Sequence, residues 1–122
     1  MPVTLFGNDS ITLAVEVPPA LRGTPVLFVE ASALHNPRSA RVYVEVCLQG
    51  ADGREHELGN FTFFGATQET DEQAFAFPIE NAGLGALTPG ATRIRASMKP
   101  IDAEDGDVSD VRVDLRAWIE GL

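Results

Sequence analysis

Few residues in this sequence are able to do acid–base, nucleophilic or metal chemistry. The histidines are His35 and His56, and the one cysteine is Cys47. Nucleophilic catalysis requires a nucleophile, a base within hydrogen-bond reach and a group that orients the base. A zinc centre with three protein ligands cannot be built from two histidines alone, and the sequence has no metal-ligand spacing. We therefore expect no catalytic residue, no metal ligand and no cofactor in this chain.

The three side chains also stand in unfavourable surroundings for chemistry. His35 precedes Asn36-Pro37, which predicts a loop, and His56 lies in a charged stretch, so both are expected to be exposed surface residues. The strand pattern places Cys47 on an outward face without a basic neighbour to stabilise a thiolate. It is expected to be a small packing residue.

Carboxylates are most concentrated between Asp102 and Asp107, where a glycine at position 106 interrupts them. Acidic residues at alternate positions beside a glycine are typical of calcium loops. Here the glycine falls one place too early, and no bidentate glutamate follows at the expected distance. A solvated acidic turn between two strands is the favoured interpretation.

Composition restricts the partners of the chain. Its 122 residues carry 18 acidic and 9 basic side chains, a formal charge of −9. This balance argues against nucleic acid, whose binding depends on clustered lysine and arginine, and against anionic membranes. The length suits one domain, which we place at residues 1–122. No signal peptide or transmembrane segment is recognisable, so the compartment is unknown, and a complete chain would be cytoplasmic.

Alternation of apolar and polar residues organises most of the sequence. Successive side chains of a strand point to opposite faces, so this period of two predicts strands with one buried face. Pro25 to Ala31 is instead continuously apolar, which predicts a strand covered on both sides. The alternating segments are Ile11–Val17, Arg41–Gln49, Gln73–Ile79, Thr92–Met98 and Val111–Ile119.

Turn-forming residues separate these segments. Asp52-Gly53 suits a tight hairpin, so Arg41–Gln49 and Glu55–Phe64 are expected to pair. Only Ile79 to Leu87 has room for a turn of helix. The predicted fold is all-β, an antiparallel β-sandwich of about seven to eight strands with little helix.

Several segments, taken in chain order, resemble one known family. Val42-Tyr43-Val44-Glu45-Val46 is similar to the strand that carries the Lys-Phe-Asp-Val motif of plant polyphenol oxidases, although that Lys and Phe are absent here. Leu58-Gly59-Asn60-Phe61 resembles the Gly-Thr-Phe segment of molluscan haemocyanins. Together with the strands near Pro2–Leu5, Ile11–Val17, Pro25–Glu30 and Val111–Ile119, this layout resembles the C-terminal β domain of the tyrosinase, polyphenol oxidase and haemocyanin family.

The resemblance implies a function without catalysis. In that family the β domain packs on a helical dicopper domain whose copper is held by six histidines, and this chain has two. The implied role is therefore an accessory or shielding domain, with a dicopper domain of the same or a companion protein as its partner. The alternative is a stand-alone β-sandwich that binds another protein or self-associates, unrelated to copper. A small hydrolase or isomerase is a third reading, with little acid–base chemistry to support it.

A few apolar side chains depart from the alternation and are candidates for partner docking. Tyr43 and Trp118 fall on faces where the pattern calls for polar groups. Phe64 breaks the alternation after Phe61 and Phe63, so Phe63 and Phe64 are candidates as well. Aromatic side chains are effective interface anchors. The competing interpretation is that loops fold over these side chains, which then complete the core. In the family resembled, an apolar side chain of this domain can cover the copper pocket, and the segment from Phe61 to Gly65 is where we expect it.

Overall fold

Eight β-strands form the described part of the protein. A computed structural model of the chain describes residues 3–18, 23–37, 40–50, 54–62, 73–79, 92–102 and 106–121. No helix occurs within these residues. The strands are β1 (Val3–Phe6), β2 (Ser10–Ala14), β3 (Pro25–His35), β4 (Val42–Gln49), β5 (Glu55–Thr62), β6 (Gln73–Pro78), β7 (Arg93–Pro100) and β8 (Arg112–Gly121).

The strands build two antiparallel sheets that pack face to face. Sheet A has the order β1-β8-β3-β6, and sheet B has the order β2-β7-β4-β5. The paired strands are β1 with β8, β2 with β7, β3 with β6 and β4 with β5. This is the pairing obtained when one long hairpin, whose two arms are β1–β4 and β5–β8, is folded up. This is the jelly-roll arrangement of eight strands. The predicted all-β sandwich is confirmed.

The core lies between the sheets and follows the alternation of the sequence. In β4 the inward positions are Val42, Val44, Val46 and Leu48, all buried, while the intervening residues are half-exposed. Burial of such side chains stabilises the fold by about 1.5–3 kcal/mol each. The predicted pairing of β4 with β5 is confirmed by their antiparallel register, while Asp52 and Gly53 lie outside the described residues.

One strand departs from the prediction because it contains a bulge. β3 continues through His35, so the loop predicted for His35 was wrong. Ser32 opposes Asp114 while His35 opposes Arg112, which means that β3 carries one extra residue here. Ala33 has a φ of 51° at this point. The bulge keeps Leu34 in the core and turns His35 outward beside Arg112.

The conformation of the connections between strands is not predicted by the alternation of apolar and polar residues. The turn after β1 docks on β7 and on the residue that precedes β8. The Gly7 N–H donates to the Val111 carbonyl (2.8 Å) and the Asn8 N–H donates to the Met98 carbonyl (2.9 Å). The helical turn considered between Ile79 and Leu87 falls mostly outside the described residues.

Candidate docking surface

An apolar group lies on the outer face of sheet A, away from the core. Phe28 of β3 stands opposite Trp118 of β8, and the two rings stack with centroids 5.7 Å apart and planes 14° apart. Neither belongs to the core cluster between the sheets. Offset-stacked rings at this separation attract one another beyond their burial.

Neighbouring strands extend this group. Ala76 of β6 opposes Phe28 on the other side, and Pro78 opposes Val26. Val26 is buried, with 5% of its surface exposed, yet it too lies outside the core cluster. We call this group the outer apolar patch, and its members are Val26, Phe28, Ala76, Pro78 and Trp118.

Charged residues border the patch. Arg116 and Glu30, one row along the sheet, form an ion pair with 3.1 Å between Nη2 and Oε1. Glu120 lies on the opposite border, beside Val26 in the register. The ion pair is solvent-exposed and contributes at most about 1 kcal/mol to stability. An apolar centre within a polar border is the composition of a protein–protein interface.

Trp118 was predicted as a docking residue from the sequence, whereas Val26 and Phe28 were not. Their signal was present, because the continuous apolar run in β3 places large side chains on both faces of the strand. That run predicted a strand covered on both sides, and β3 is indeed central in sheet A. On its outer face Val26 is buried and Phe28 is half-buried.

Tyr43 lies far from the patch, on the outer face of sheet B. It stands between Lys99 and Thr62 in the register and is half-buried. Tyr43 and Trp118 therefore belong to opposite faces of the sandwich and do not form one surface.

The aromatic segment after β5 is described only in part. Phe63 and Phe64 lie outside the described residues. Phe61 is buried in the core, where its ring stacks on Phe75 with centroids 4.1 Å apart and meets Phe77 at 6.3 Å. Phe61 is thus unsuited to cover a site on another domain.

The outer face of sheet B is polar and internally paired. Arg95 contacts Glu55 at 3.0 Å, and Lys99 contacts Glu45 at 3.8 Å. At its centre, burial and then the nearby carboxylates, Glu45 first, raise the pKa of the Cys47 thiol. A raised pKa leaves less thiolate at neutral pH, which disfavours a nucleophilic role.

The histidines occupy different sheets. His35 ends β3 in sheet A, while His56 lies in β5 of sheet B opposite Leu48, and both are half-buried rather than fully exposed. This donor set does not fit a dicopper centre, which requires a cluster of imidazoles. Among the described residues, no three His, Cys, Asp or Glu side chains are gathered to hold a metal ion.

The described part of the chain has no helix long and apolar enough to cross a membrane.

Comparison with known proteins leaves the family open. No protein-family model matches the chain, and no curated protein matches it.

Proposed function

We propose that this protein is a non-catalytic accessory β domain that packs on the helical dicopper domain of a tyrosinase-like protein through its outer apolar patch. The observation that carries the docking is the Phe28–Trp118 stack on the outside of sheet A. Large aromatic pairs at the centre of a polar border are where binding energy concentrates in protein interfaces. The dicopper partner rests on the sequence resemblance, with which an all-β sandwich agrees.

The patch is expected to form the centre of the interface rather than the whole of it. A stable interface buries about 800 Å² on each partner. Five small and aromatic side chains supply only part of this area, so the flanking Glu30, Arg116 and Glu120 belong to the rim. Rim charges influence association rate and partner choice more than affinity.

Substitutions on opposite faces of the sandwich test this proposal. Phe28→Ser and Trp118→Ser remove the stacked pair, and Tyr43→Ser removes a half-buried aromatic residue from sheet B as the matched control. Affinity for a purified dicopper domain of the tyrosinase family, prepared without its own β domain, is measured by calorimetry. We expect the first two substitutions to weaken binding at least about tenfold and the control to leave it unchanged.

Thermal unfolding of the same variants separates docking from core packing. Phe28 and Trp118 are partly exposed, so each substitution is expected to lower the free energy of unfolding by about 1–2 kcal/mol, less than a core deletion does. A loss of about 4 kcal/mol or more would assign these side chains to the core and contradict the docking role.

The second candidate function is a stand-alone protein-binding or oligomerising module, which the same patch would also suit. The charge of −9 on each copy opposes self-association at neutral pH. The coding sequence beside this one distinguishes the two candidates, since a histidine-rich helical domain is expected only for the accessory role.

A further inference from the structure

A polar cavity of about 280 Å³ lies on the outer face of sheet B, on the other side of the sandwich from the outer apolar patch. Its floor is formed by the small side chains of Ser10, Ser97 and Cys47, which belong to β2, β7 and β4. Longer charged side chains of β4, β5 and β7 form its walls. Arg95 and Lys99 in these walls expose 45% and 51% of their side-chain surface, so the cavity is open to solvent.

One half of the cavity presents hydrogen-bond donors. The hydroxyl oxygens of Ser10 and Ser97 lie 2.8 Å apart, and Ser97 is buried at the floor. Along β7, Ser97 stands between Arg95 and Lys99, which both line the cavity. Two hydroxyl groups flanked by two cations suit a carboxylate, because an ionised carboxylate only accepts hydrogen bonds and binds charged donors most strongly. We call Ser10, Ser97, Arg95 and Lys99 the anion subsite.

The other half of the cavity is acidic and is centred on Cys47. The Cys47 Sγ lies 3.9 Å from a carboxylate oxygen of Glu45, and Glu57 stands opposite Cys47 in the register of β4 with β5. Glu57 forms no ion pair with a described residue. After burial, the carboxylates of Glu45, Glu55 and Glu57 raise the pKa of the Cys47 thiol, which means that the potential here is negative despite Arg95. We call Cys47, Glu45 and Glu57 the cation subsite.

Two ion pairs join the walls of the cavity without filling it. Arg95 contacts Glu55 at 3.0 Å, and Lys99 contacts Glu45 at 3.8 Å. Such solvent-exposed pairs contribute at most about 1 kcal/mol, so their members remain able to bind a ligand of the opposite charge. The pairs also hold long side chains in place before a ligand arrives, which reduces the entropy lost on binding.

We propose that this cavity binds a small zwitterion of the ω-amino acid type, with its carboxylate in the anion subsite and its ammonium group in the cation subsite. Cys47 opposes Arg95 and Glu45 opposes Ser97 in the register of β4 with β7, so Ser97 and Cys47 are diagonal neighbours. Diagonal neighbours lie about 7–8 Å apart, which matches the distance between the charges of extended 6-aminohexanoate. The proposal does not depend on a dicopper partner.

Ligands with a single charge, or with two charges close together, fit this cavity less well. A simple anion would meet the carboxylates of Glu45 and Glu57, while a simple amine would meet Arg95 and Lys99. Like charges placed together oppose binding. An α-amino acid carries its two charged groups on one carbon atom and is too short to reach both subsites.

Titration of the whole chain with 6-aminohexanoate, followed in amide proton–nitrogen spectra, tests the proposal. We expect saturable shifts of the amide signals of Cys47, Arg95 and Ser97, with a dissociation constant on the order of 1 mM for so small a ligand. Hexanoate lacks the ammonium group, pentylamine lacks the carboxylate and glycine lacks the length. None of these three controls is expected to give saturable shifts.

Substitutions in the two subsites make the test specific for the cavity. Glu57→Gln removes the unpaired carboxylate and Lys99→Gln removes a cation, and each is expected to weaken binding at least about fivefold. Glu120→Gln makes the first of these changes at an exposed position of sheet A and is expected to leave binding unchanged.

Four results would each overturn the proposal. They are no saturable shift with 6-aminohexanoate up to about 100 mM, equal binding of hexanoate or pentylamine, shifts confined to sheet A, and unchanged affinity in both subsite variants. All three substitutions are at exposed positions, and amide spectra that match the parent away from the changed residue confirm that each variant is folded.

Discussion

Gly7 lies directly against the backbone of Val108. A β-carbon at position 7 would stand 1.8 Å from the Val108 carbonyl oxygen, far inside van der Waals contact. The close approach allows the turn after β1 to dock on the β7–β8 connection, where the Gly7 N–H donates to the Val111 carbonyl. This contact fixes the end of sheet A at which β1 and β8 begin to pair.

Replacing Gly7 by alanine is expected to lower the free energy of unfolding by about 3 kcal/mol or more. The added methyl group meets backbone atoms that cannot rotate away. Gly106→Ala is the control, because its β-carbon meets nothing within 4 Å and only its φ of 61° opposes a side chain. That variant is expected to lose about 1 kcal/mol. Denaturant unfolding of both variants measures the difference, and equal losses would contradict the close packing at position 7.

Ala33→Gly is expected to raise the free energy of unfolding by about 0.5 kcal/mol. An alanine with a φ of 51° is held in the left-handed region at a cost of about 1–2 kcal/mol, and glycine removes this cost. Part of the gain is lost again because glycine is more flexible in the unfolded chain. Ala74→Gly in the edge strand β6 gains no such relief and is expected to lower stability by about 0.5–1 kcal/mol. If chemical denaturation shows that both substitutions change the free energy of unfolding in the same direction, the backbone strain at Ala33 is contradicted.

The features of the fold that could be predicted from the sequence are those that depend on residues close together in the chain. Alternation in β4 predicted its four core residues, because the side-chain period of a strand depends only on neighbouring residues. The bulge at Ala33 escaped prediction since alanine carries no signal for a positive φ, and one extra residue changed the environment of both Leu34 and His35. The strand order, including β8 between β1 and β3, is set by packing between distant segments and has no local signal.

The candidate site was predictable to the same limited extent. Trp118 was recognised because it interrupts an alternating strand, whereas Phe28 lies in a continuous apolar run that gives no indication of which face is covered. Their stacking depends on the register of β3 with β8, which the sequence does not encode locally. For the same reason, the separation of Tyr43 from Trp118 became evident only with the two sheets in place.

Asn36→Ala is expected to lower the free energy of unfolding by about 2–3 kcal/mol. The buried Asn36 amide donates to the Ala40 carbonyl and accepts from the Ala40 N–H, both at 2.9 Å. Alanine leaves these backbone groups without their partner in a part-buried loop. Asn60→Ala, at an exposed position of β5, is the control and should stay within about 0.5 kcal/mol of the parent. Thermal and denaturant unfolding that rank the two variants equally would contradict a structural role for Asn36.

Asp107 is expected to titrate below the usual aspartate range. The Ser109 backbone N–H donates to its carboxylate at 2.9 Å, and together with the Ser109 hydroxyl and the Asn8 amide it holds the pKa of Asp107 below 3.8. Because the folded pKa is depressed, the stabilisation is present above the unfolded pKa and is lost as pH falls through the folded one. Carboxyl NMR titration should show a midpoint below 3.8 that rises in Asn8→Ala and does not move in Asn60→Ala. A midpoint at or above 3.8 in the parent chain would contradict these hydrogen bonds.

The most direct test of the docking role is a calorimetric titration of a tyrosinase-family dicopper domain, lacking its own β domain, with this chain. We predict saturable binding of the parent chain, slower catechol oxidation by the bound dicopper domain, and loss of both effects when Phe28 and Trp118 are replaced together by serine. Absence of binding by the parent chain, or binding that the double replacement leaves intact, would contradict it.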